Sequence, residues 1–229
     1  MTSTEYTVAR EAMTNHPKKR QYFQNYVTDM MDELRLSLRA GRLTKDSKDL
    51  SPFKGWRSTV EHEVVVSLGV DVLAEALGLG NNLRDNLRRN AVVHDWNKRI
   101  EKSSDAPEPA QAKMIVSTLD RIKPDQKLLE STGPGFLNKL SSDNAGLLEK
   151  ILFYVDDITD LSEIVLLRDR IESARARDKT HSHDWNREYL EAAQVENELT
   201  KLLNERGANI KDHSMLPIYI LQKIKERFD

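Results

Sequence analysis

The chain has 229 residues, 38% of them hydrophobic and 31% charged, with a formal net charge of −2. That is enough apolar matter for a core, but not the cationic excess that binding a nucleic-acid backbone requires. There is no cysteine, which excludes disulfides, thiolate metal sites and thiol catalysis.

Glycine (9) and proline (7) are scarce against the roughly 16 and 11 of average usage, so long helices joined by few tight turns are expected. No apolar run approaches the roughly 18 residues of a membrane span. The opening stretch, MTSTEYTVAREAMTNH, lacks the charged-then-apolar order of a signal peptide. A cytoplasmic protein is expected, with neither membrane nor nucleic acid as a partner.

Pro17 opens a predicted helix over 17–40, in which Tyr22, Phe23, Tyr26, Val27, Met30, Met31, Leu34 and Leu38 recur at helical spacing. That stripe offers a face for core packing or for a symmetric homodimer. Residues 44–56, broken by Pro52 and Gly55, read as a loop. From Ser58 to Leu77 the chain is apolar on nearly all sides, the mark of a buried helix. Gly78 and Gly80 end it, and Asn81-Asn82 start a helix to Val93.

A loop is expected at 101–109, a helix at 110–122 and a break at 131–136. One long helix is predicted from Asn144 to beyond Arg170, then a polar stretch at 173–184. Helices at 185–205 and 216–227, parted by Gly207, close the chain. No alternating strand pattern is present. The predicted class is all-α, with strand content near zero.

The string HDWN occurs twice, at 94–97 and 183–186. In the second copy Asp184 stands where a helix N-cap belongs, with Glu188 in the first turn beyond it, so that copy reads as a helix start. In the first, Leu87, Asn90 and Ala91 share a helical face with His94, and the chain is entering the core as His94 and Asp95 arrive. An aspartate buried there unpartnered is costly, and a cation would resolve the cost. His62 lies on a helical face with Ser58, Thr59, Val65, Val66 and Gly69 and also points into apolar surroundings. In ILFYVDDITDL (151–161) a pair of aspartates interrupts a buried-looking helix, and helical geometry alone does not say which of them turns inward.

Three helices thus offer His62, then His94-Asp95, then an aspartate. This order resembles the HD-domain superfamily of metal-dependent phosphohydrolases, over about residues 55–175. WRSTVEH resembles that family's Arg-rich lead into its first histidine. AVVHDWNK resembles its dyad segment, with Lys98 at the lysine position, and ILFYVDDI resembles the segment that selects Asp156 as the ligand.

The resemblance implies an HD-domain-like helical bundle over 51–175, with helical extensions at 1–50 and 176–229 packed on it as one unit. It implies one divalent ion (Mn, Mg, Co, Ni, Fe or Zn) held by His62, His94, Asp95 and Asp156. Two neutral imidazoles and two carboxylates give such an ion a protein charge of −2 and leave positions open. Asp95, Lys98 and Arg57 are the implied catalytic residues, the latter two stabilising phosphate charge. Glu61 and Glu63 are candidates for supporting roles or for plain helix surface.

The expected substrate is a nucleotide or similar small phosphate ester. The absence of histidines between 96 and 155 points to a single metal, and Asn97 stands where many members carry glycine. Two alternatives stand beside the enzyme: a non-catalytic HD-type metal-binding signalling or interaction module, and a helical interaction protein with the stripe at 22–34 as its interface.

Overall fold

A helix apolar around its whole circumference needs neighbours on every side, and α1 (Arg57–Ala76) has them: each residue from His62 to Ala74 is buried. The computed structural model describes Glu33 and residues 57–96, 109–133, 135–160, 163–179 and 183–228. Apart from Glu33, the expected helix 17–40 lies outside the described residues, as do the loop 44–56 and nearly all of the loop 101–109.

Around α1 pack α2 (Asn81–Val93), α6 (Leu147–Asp157) and α9 (Leu216–Phe228). The remaining helices are α3 (Pro109–Ile122), α4 (Gln126–Glu130), α5 (Phe136–Ser141), α7 (Leu167–Arg177) and α8 (Trp185–Glu205), with a 3-10 turn at His213–Met215. The fold is all-α. Among the described residues its strands are limited to β1 (Thr159–Asp160) and β2 (Glu163–Ile164), paired antiparallel with Thr159 opposite Ile164. None of the described helices is long and apolar enough to cross a membrane.

Local chemistry sets the ends. Gly78 takes a positive φ of 66° after α1, a conformation that favours glycine. The Asp125 side chain caps α4 by accepting from Lys127 N–H. Buried Asn90 ties α2 to that cap, its Oδ1 accepting from Asp125 N–H at 2.8 Å. Asp71, a buried carboxylate on α1, is clamped by Arg84 from α2 and Arg227 from α9. Glu33 is also buried and pairs with Arg89 of α2 at 2.8 Å.

The long helix expected from Asn144 to beyond Arg170 is instead α6, a two-strand hairpin and α7. Its apolar positions Ile158, Ile164 and Leu167 are all buried, so the spacing that suggested one helix serves the broken path equally. The break has a local cause. Ile158 leaves helical geometry (φ −102°, ψ 0°), and the Thr159 hydroxyl donates to Val155 O at 2.6 Å, satisfying an end carbonyl. Val165 N–H then donates to Ile158 O at 2.8 Å, folding the chain back. The polar stretch expected from 173 is in fact helical as far as Arg177. Two short helices, α4 and α5, flank the predicted break at 131–136.

Gly69 marks the closest approach of α1 to α6: a Cβ there would lie 2.6 Å from Val155 Cγ1. Valine is stiff at χ1 and cannot swing aside. Gly69→Ala is therefore expected to destabilise the protein by about 1–2 kcal/mol, despite alanine's better helix propensity. In urea unfolding, Gly69→Ala combined with Val155→Ala should cost about 1 kcal/mol less than the two single losses summed. Strict additivity would contradict this packing.

Candidate metal centre

Three elements bring the site together. His62 projects from the second turn of α1, just before the run Val64–Val66, and His94 is the C-cap residue of α2. Asp156 stands one residue before the end of α6. Both histidines are buried (8% and 6% exposed). The His94 ring is fixed by its own helix, Nδ1–H donating to Ala91 O at 2.6 Å. That bond selects the tautomer whose Nε2 carries the lone pair.

His62 Nε2 lies 2.9 Å from Asp156 Oδ1 and 3.3 Å from His94 Nε2, and His94 Nε2 lies 3.2 Å from Asp156 Oδ1. Ligands about 2.1 Å from one ion are separated by about 3.0 Å at right angles and about 3.4 Å in a tetrahedron. The observed triangle matches that spacing, so His62, His94 and Asp156 form a group that can hold a metal ion. Asp95 stands beside the triangle, its oxygens 4.0 Å from His62 Nε2 and 3.9 Å from His94 Nε2. Its side chain is 15% exposed and that of Asp156 20%, so the two carboxylates form the more open side of the centre and the imidazoles the closed one.

Electrostatics prepare the group for a cation. Burial pushes Asp156 towards its neutral form, but His94 and His62 outweigh it and hold the carboxyl well below its usual range. Burial likewise disfavours charge on His94, and Asp95 followed by Asp156 overcomes it, raising His94 to about 9. Asp157, the next residue, behaves oppositely. Burial, then the nearby Glu188 and Asp156 carboxylates, raise it well above the carboxylate range, with Arg170 pulling the other way. The environment therefore favours the ionised form of Asp156 and the neutral form of Asp157.

Lys98 lies outside the described residues, and the described part of Arg57 is its backbone at the start of α1. The side chain of Glu61 is not among those described, while Glu63 is fully buried. The second HDWN is a helix start: Asp184 accepts from Arg187 N–H at 3.1 Å. There, His183 pairs with Glu188 and packs on Trp185. Glu188 in turn hydrogen-bonds Asp157, which joins this second copy to the back of α6. No sequence signal pointed to that contact, because its partners are about thirty positions apart with unrelated flanks.

No known family model, curated protein or solved structure matches this chain.

Metal binding must displace the His94 proton, since an imidazolium has no lone pair to offer. Because His94 titrates at about 9, affinity for a divalent ion should rise up to tenfold per pH unit from 7 and level off above 9. Calorimetry at pH 7.5 in buffers of different ionisation enthalpy should show about one proton released per ion. An affinity flat between pH 7 and 9 would remove His94 from the ligand set.

Proposed function

We propose that the chain is a metal-dependent phosphohydrolase of the HD type, acting on a nucleotide or similar small phosphate ester through one divalent cation. The observation that supports it most is the convergence of His62, His94 and Asp156 from three helices, with Asp95 alongside. Mg, Mn, Fe, Co, Ni and Zn all accept such an imidazole and carboxylate set. When bound, the cation supplies Lewis acidity to a phosphoryl oxygen and to the attacking water.

The residues around it do the rest. The Ala91 carbonyl orients His94, and the α1–α6 packing fixes the distance from His62 to Asp156. Asp95, on the more open side, is placed to orient water and accept its proton. We assign Lys98, four positions after His94 in the sequence, and Arg57, at the start of α1, to the phosphate oxygens, where Arg offers two parallel N–H donors and Lys a point charge.

Phosphate release is measured from nucleotides and sugar phosphates with stripped protein and each of Mn, Mg, Co, Ni, Fe and Zn in turn. Asp95→Ala should lower turnover at least about 100-fold while changing stability by no more than about 1 kcal/mol, as expected for a partly exposed side chain. Turnover unchanged in the variant sinks the assignment. Silence across the panel, with metal still raising the melting temperature, favours a non-catalytic metal-binding module instead.

A further inference from the structure

Four side chains meet at the metal centre, but their donor atoms do not all lie around one point. The edges of the triangle between His62 Nε2, His94 Nε2 and Asp156 Oδ1 are 2.9, 3.2 and 3.3 Å. With bonds of about 2.1 Å, those edges subtend angles of about 87°, about 99° and about 104° at an ion. Three ligands close to right angles with one another share one face of an octahedron, and the opposite face stays open.

Asp95 does not fit that sphere. Its closest approaches are 3.9 Å, to His94 Nε2, and 4.0 Å, to His62 Nε2. At the same bond length these separations require angles of about 136° and about 144° at the ion, beside the about 104° between the two imidazoles. Together they exceed a full turn, which three directions from one point cannot do. To bond the ion, an Asp95 oxygen would have to move towards at least one imidazole.

The surroundings oppose that move. The His94 ring is tied through Nδ1 to Ala91 O, so it does not follow. On the other side of Asp95, Trp96 N–H donates to Val93 O at 3.2 Å, and the Trp96 side chain packs on the Val93 and Ile115 cluster. The backbone is thus held both before and after Asp95. Far from both imidazoles and partly exposed, its carboxyl borders the open face of the triangle.

We propose that His62, His94 and Asp156 are the whole protein ligand set, a facial triad, and that Asp95 acts from outside it. The Asp95 oxygens accept hydrogen bonds from water or a hydroxyl group held on the open face. Three adjacent open positions admit two oxygens of one phosphate group and still keep a water beside Asp95. This assignment rests on the cation proposed above, and it departs from the four-ligand set that the resemblance implies.

The test counts the waters on Mn(II) bound to the full chain, from the broadening of its electron paramagnetic resonance in oxygen-17 water. Mn(II) takes six ligands in an octahedron, so the triad leaves three waters, whereas a fourth protein ligand leaves two. Three are expected both in the wild type and in Asp95→Asn. In calorimetry, Mn(II) affinity should fall at least about tenfold further in Asp156→Asn than in Asp95→Asn, with circular dichroism confirming both folds. Two waters in the wild type, rising to three in Asp95→Asn, would overturn the proposal and leave the metal-dependent reading of the chain standing. Equal losses of affinity in the two variants would overturn it in the same way. Failure of the wild type to bind Mn(II) would remove both.

Discussion

The carboxylate of Asp156 lies between two buried imidazoles, held there by three helices that share one apolar core. An ionised carboxylate at that depth is tolerable only with partners. Its partners come from α1 and α2, elements 94 and 62 positions earlier in the chain. The approach of α1 to α6 at Gly69 and Val155 sets the His62 edge of the triangle, next to Asp156 in sequence. The α2 end, where His94 bonds Ala91 O, sets the other. Packing and ligand geometry are thus one constraint: what keeps the core closed also keeps three donor atoms about 3 Å apart.

The two faces of α6 carry opposite chemistry. On one, Asp156 is charged and presented to the histidines. On another, Asp157 is pushed towards its neutral form by burial and by the nearby Glu188, and Tyr154 is bonded to Glu196. The helix therefore ties the centre to α8 through two buried polar contacts. Buried polar pairs of this kind specify how helices dock more than they add to stability. The repeated tetrapeptide takes part twice, once through His94 and Asp95 and once as the start of the helix that holds Asp157 in place.

Much of the fold was legible because helix starts and stops are written locally. Gly78, Asp125 and Asp184 end or begin elements for reasons contained within a few residues. The end of α6 was not legible: neither Gly nor Pro stands there, and the apolar spacing runs on through Ile158, Ile164 and Leu167. The hairpin depends on Thr159 turning back to Val155, and on Asp160 being held by Ser173 and Arg177 from α7. Such tertiary partners leave no periodic trace. In the site, His62 and the first dyad stood out by burying polar groups on apolar faces. Spacing left Asp156 and Asp157 open, since neighbours about 100° apart on a helix can each be the inward one. In the structure Asp156 comes within 3.2 Å of both histidines, and Asp157 faces Glu188. The Tyr154–Glu196–His213 chain links residues 42 and 17 positions apart and had no sequence signature.

The proposed function stands on a divalent ion held between His62, His94 and Asp156. The most direct measurement is the electron paramagnetic resonance of the full chain loaded with Mn(II), with and without nitrogen-15 in the histidine rings. One ion per chain is expected, coupled to two histidine nitrogens, with one coupling lost in His62→Ala. A spectrum without histidine coupling, or one unchanged in that variant, would contradict it.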